Sequence, residues 1–204
     1  MDYVASKDSK HKKEGVYLYA LYLVLGINVL MLFVVAIFGV VADSLALFAD
    51  ASYFLWDSAN YMISLFIIHR PLKVRAKATL FKGVAALMFG VYILFKALGE
   101  IGKTEIVSYE VMGVIGLAAL FANLSAIFIL YKFREGDGDL FAAWLCSKND
   151  VISNVAVIVA ASAVYFFNAN WPDRVVGITM AFIAVRRALR VIRRAKQELK
   201  LPVV

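Results

Sequence analysis

Six apolar runs, each long enough to cross a lipid bilayer as a helix and separated by short polar connections, constrain this chain more than any other feature. They fall at about 16–40, 44–68, 78–98, 109–131, 140–167 and 173–192. An α-helix rises 1.5 Å per residue, so about 20 apolar residues cross a hydrocarbon core about 30 Å thick. Inside lipid the backbone must satisfy its own polar groups, and runs of this length do so as helices. Of the 204 residues, 63% are hydrophobic. Soluble domains hold about 45–50%, so a single soluble core would leave the excess facing water. The chain therefore reads as an all-α polytopic membrane protein with six transmembrane helices.

Charge supplies the orientation. The formal net charge is +7, and eighteen of the 22 Lys and Arg fall within residues 7–13, 70–82, 132–134 and 186–200. These four clusters follow the amino end and the second, fourth and sixth runs, so they share one side of the membrane. The other side shows only Lys103 and Arg174. This asymmetry puts both termini in the cytoplasm. It also makes the basic excess a signature of topology, with no nucleic-acid partner implied. Residues 1–15 read as a cytoplasmic segment, 16–192 as the membrane domain and 193–204 as a basic cytoplasmic tail, in a cell membrane of the bacterial inner-membrane type. The first run is too long for a signal-peptide core. The tail has the pattern of an amphipathic extension of the sixth helix over anionic headgroups. His11 and His69 read as interfacial, and the lone Cys146 allows no intrachain disulfide.

Carboxylates inside a span are costly and persist where they face water, a partner charge or an ion. Asp57 lies about 12 residues from the cytoplasmic end of the second run, roughly 18 Å deep, and Asp150 about 10 from that of the fifth, roughly 15 Å deep. Two carboxylates at one depth on different helices repel unless a cation or proton sits between them. Cys146 precedes Asp150 by four residues, as Tyr53 precedes Asp57, so each pair shares a helix face. Asp43, Asp50 and Asp57 recur every seven residues as an acidic stripe. Carboxylates with a thiolate suit zinc, cadmium or cobalt better than magnesium or calcium. The candidate metal residues are thus Asp57, Asp150, Cys146 and Asp50. Lys148 should point away from them, about 200° around the helix from Asp150. Asn28, Asn60, Asn123 and Asn154 read as interhelical hydrogen-bonding residues, and Gly83, Gly90, Gly113, Gly116 and Gly177 as sites of close helix packing.

LFADASYFLWD at 47–57 and LFAAWLCSKND at 140–150 share their first three residues and their final Asp. The offset of 93 residues carries one three-helix half onto the other in inverted orientation, a pattern found in secondary transporters.

SLALFADASYFLWDSAN in the second run, WLCSKNDVISNVAVIVAA in the fifth and WPDRVVGITMAFIAVRRALRVIRRA in the sixth resemble the cation diffusion facilitator family, the cobalt–zinc–cadmium efflux proteins. The resemblance implies a midplane metal site with His or Asp at both ends of a four-residue spacing on helices 2 and 5. Those positions are Tyr53 and Asp57, then Cys146 and Asp150. Both aspartates match, and Tyr and Cys depart. It also implies a short form without the family's cytoplasmic C-terminal domain, so that a homodimer would be held by membrane helices. The expected function is export of a divalent transition metal in exchange for protons, with the metal as substrate and no cofactor or enzyme activity. The alternatives are a non-transporting scaffold and a transporter of another cation.

Overall fold

A computed structural model describes residues 2–66, 70–99, 106–131 and 139–200. Six helices account for nearly all of them, with no strand among the described residues: α1 (Asp2–Val41), α2 (Leu45–Phe66), α3 (Leu72–Gly99), α4 (Tyr109–Leu130), α5 (Asp139–Phe167) and α6 (Trp171–Lys200). The inner turn between α4 and α5, His69 and the side chain of His11 lie outside the described residues. Three helices outrun their apolar segments. α1 takes in the polar residues before 16, α3 starts six residues early through a basic stretch, and α6 continues to Lys200. Backbone hydrogen bonding propagates a helix past the point where hydrophobicity stops, because each added residue gains a bond at little further cost.

Four helices are apolar enough to span a bilayer by composition alone, through Leu18–Val41, Lys73–Gly99, Tyr109–Leu130 and Cys146–Phe167. The two exceptions have different causes. α6 carries the arginines of its last turns. α2 touches every other helix, and every residue from Leu45 to Phe54 is buried. A helix sheathed by protein needs no greasy exterior, so α2 can hold two aspartates at a spanning length of about 33 Å. The outer helices supply the lipid-facing surface, where Phe81, Phe128 and Phe166 are each 78% exposed. In water such a surface would be an aggregation face.

Around α2 the helices divide into a body of α1, α2, α4 and α5 and a closely packed α3–α6 pair. Glycine makes the pair possible: a Cβ on Gly83 would lie 2.8 Å from Ile192 Cγ1, and one on Gly90 2.8 Å from Val185 Cγ2. Small residues let helix backbones approach where no hydrophobic force drives them together.

The three turns opposite the termini are bonded to one another. Asp43 and Asn168 take left-handed conformations, with φ of 50° and 48°, which Asp and Asn tolerate best after glycine. The Ser108 amide donates to Ala42 O at 3.1 Å, the Val107 amide to Asn170 Oδ1 at 2.9 Å, and Lys96 Nζ lies 2.8 Å from Asp43 Oδ1. Lys96 thus joins this end of the bundle, which carries one basic residue more than the loops alone suggest. The first turn of α2 is held by Asp173 of α6. Its Oδ1 accepts from Ser44 Oγ at 2.6 Å and from the Ala46 amide at 3.1 Å, and its Oδ2 accepts from the Leu45 amide at 2.8 Å. Ser44 Oγ in turn accepts from the Leu47 amide at 3.1 Å. Every donor freed at the start of α2 has a partner, and the carboxylate sits at the positive end of the helix dipole.

Candidate metal-binding site

Halfway along α2, Asp57 is 1% exposed, and among the described residues no amide, hydroxyl or cation bonds its carboxylate oxygens; the one group within hydrogen-bonding reach of them is the carboxyl of Asp150. It faces Asp150 of α5, which is 3% exposed, carboxyl toward carboxyl across the α2–α5 seam. Cys146, one turn before Asp150, is a half-buried free thiol within the electrostatic reach of both. The two segments that share their first and last residues in the sequence therefore end on the two facing aspartates.

Asp50 sits two turns along α2. It also feels Asp150, but both its oxygens accept from Asn154 Nδ2 at 3.0 Å. Asn154 Oδ1 accepts from Asn123 Nδ2 at 2.8 Å. This buried chain of Asp50, Asn154 and Asn123 ties α2 to α5 and α4, as interhelical polar residues do. Asp43, the third member of the acidic stripe, is engaged by Lys96. Spacing alone makes the three aspartates alike, whereas their partners make them different. Asn28 bonds within its own helix, to Val24 O at 2.9 Å.

Tyr53 does not join the pair through its hydroxyl, which donates to Met180 O of α6 at 3.3 Å. Tyr61 does approach it: four residues after Asp57, it lies within reach of Asp57, Cys146, Ser147 and Asp150. Ser58 Oγ is buried without a hydrogen-bond partner among the described residues, and the Tyr61 hydroxyl and Ser147 Oγ, also buried, have only each other within hydrogen-bonding reach. Burying one such atom costs about 1–3 kcal/mol, so native structures seldom cluster them. Sequence reasoning followed the i−4 neighbour of Asp57 and missed the i+4 one, although the same helical spacing identifies both.

Two cations flank the pair. Lys82 of α3 donates to Asn60 Oδ1 and lies 4.0 Å from the centroid of the Trp56 ring. The Arg187 guanidinium of α6 lies 5.1 Å from the Tyr53 ring and 6.0 Å from that of Trp56. Lys148 is exposed and lies 5.6 Å from the Trp144 ring, on the side away from Asp150. Among the described residues no three His, Cys, Asp or Glu side chains gather into a group able to hold a metal as they stand. What is brought together is a carboxylate pair with a thiol beside it, hydroxyls with unused hydrogen-bonding capacity, and a positive rim.

Comparison with known proteins agrees with this architecture. The zinc transporter ZitB of Yersinia pestis is 26% identical over 211 residues, covering 96% of this chain and 65% of that protein. The cadmium, cobalt and zinc/H(+)-K(+) antiporter of Bacillus subtilis (strain 168) is 26% identical, covering 76% of this chain and 55% of that protein. The metal cation efflux system protein CzcD of Cupriavidus metallidurans is 26% identical, covering 73% and 51%. The chain spans between about half and two thirds of the length of these curated relatives. The cation efflux transmembrane domain matches residues 21–199, and the chain belongs to that family as a multi-pass membrane protein.

Proposed function

We propose that this chain carries a divalent transition metal ion of the zinc, cobalt or cadmium class out of the cytoplasm in exchange for protons. The observation that carries the reading is Asp57, a buried carboxylate that has no hydrogen-bonding group among the described residues except the second buried carboxyl it faces, Asp150. A protein keeps such a group when a mobile cation completes it. Relatives named for zinc, cadmium and cobalt, one of them also for protons, support the class of cargo. In this reading the end bearing both termini faces the cytoplasm. The metal enters there and binds Asp57 and Asp150, and Cys146 closes in as a third ligand. Protons replace the metal when the site opens outward, because two facing acids do not both remain ionised without a cation. The Asp50–Asn154–Asn123 chain holds α5 in register, and Asp43 lies on the exit side.

Zinc-driven proton flux in proteoliposomes tests this. Wild-type protein is expected to move protons when zinc is added, and Asp57→Asn or Asp150→Asn to abolish the movement. Undiminished flux in both variants would refute the assignment. The second reading, a relative that binds a cation without moving it, is favoured by the engagement of Tyr53 with α6. It expects calorimetric zinc binding that depends on Asp57, with no flux in any variant.

A further inference from the structure

The cation nearest Asp57 on α3 is placed as few lysines in a transmembrane helix are. Lys82 rests against the face of α2 formed by Trp56 and Asn60, residues one before and three after Asp57, and its field reaches both Asp57 and Cys146. The charged groups around Asp57 are then Lys82 from α3, Asp150 from α5 and Arg187 from α6, with the Cys146 thiol beside them. Two carboxylates against two fixed cations balance. A divalent ion added to that set leaves two positive charges in excess, and still one when Cys146 binds it as a thiolate, inside a low-dielectric wall where each uncompensated charge is costly. One resident cation therefore has to draw back when the metal arrives. Arg187 is a rigid fork stacked near two rings, whereas the lysine is a compact ammonium on a flexible four-carbon stem.

We propose that Lys82 is a tethered competitor of the transported ion: its ammonium moves between the Trp56–Asn60 perch and the Asp57 carboxylate, and metal binding drives it back to the perch. This rests on Asp57 being a metal ligand. Lys82 then compensates the one acid of the pair that stays ionised once a proton has replaced the metal, and it weakens metal binding enough for release. It is a residue that sets affinity without touching the metal.

The proposal makes two substitutions act in opposite directions. Lys82→Met removes the competitor and should tighten zinc binding about tenfold while slowing turnover. Trp56→Leu removes the perch but keeps the charge, so the ammonium spends more time on Asp57 and zinc binding should weaken about threefold. Damage to packing would weaken binding in both. The test is zinc titration calorimetry on the full chain in detergent, with zinc flux measured in parallel. Unchanged or weaker zinc affinity in Lys82→Met overturns the proposal. Should that variant fail to purify as a monodisperse protein, Lys82→Gln, which removes the charge but keeps a polar side chain on the Asn60 side, decides, and unchanged or weaker affinity there overturns the proposal. Wild-type zinc affinity that Asp57→Asn leaves untouched would instead remove the metal assignment on which the proposal stands.

Discussion

Asp173 and Asp57 are both buried aspartates inside the bundle, and they are opposites. Asp173 accepts three hydrogen bonds from the head of α2, and nothing about it is left to complete. Asp57 has, among the described residues, only another acid within hydrogen-bonding reach. Burial alone thus says little about the role of a charge. The partners separate a structural carboxylate, which holds two helices together, from a functional one, which the fold leaves available for a cation. The same divide runs along the molecule, since the turn end is cross-bonded and the middle holds the unsatisfied polar atoms.

The sharpest way to break this contrast is to neutralise each acid in turn. Asp57→Asn should lower zinc flux by two orders of magnitude or more, beyond the roughly 10–100-fold that losing a supporting residue costs. Its thermal midpoint in detergent should hold or rise, because the encounter of two buried carboxyls has gone. Asp173→Ala should do the reverse, costing about 3 kcal/mol or more of stability by leaving the Leu45 and Ala46 amides buried and unpaired. Equal destabilisation by both would erase the distinction. A gentler probe is Gly177→Ala, whose Cβ would fall 2.6 Å from the Leu45 carbonyl carbon and 2.8 Å from the Ala46 amide nitrogen. Backbone cannot yield as a side chain can, so about 1–3 kcal/mol is expected from thermal unfolding. Smallest is Ser44→Ala, the loss of one cap, at about 1 kcal/mol. A loss in that variant as large as in Asp173→Ala would mean the serine, rather than the carboxylate, secures the joint.

Much of this was legible in the amino-acid order, for reasons that also mark where it stops. Hydrophobic run length locates helices because the bilayer fixes that length, and the six runs correspond to the six helices. It misjudges where α1, α3 and α6 begin or end, because a helix does not stop where lipid does. Depth and spacing single out Asp57 and Asp150 on physical grounds, and they face each other. Spacing cannot foretell partners 100 residues away: Asp50 finds Asn154, and Asp173 finds Ser44. Nor can position along the chain tell the lipid face of a helix from its seam. Lys82 counts among the basic residues that set topology, yet it lies against α2 beside the carboxylates.

The joint at Asp173 fastens one end of two long rods. α2 is about 33 Å long and α6 about 45 Å, and neither can slide past the other there without breaking three hydrogen bonds. With α6 as the lever arm, any tilt between the two helices would turn about that end. A tilt of about 5° about it displaces Arg187 by roughly 2 Å and the far tip of α6 by roughly 4 Å, so a small swing is magnified where the arginines are, while the fastened turn stays still.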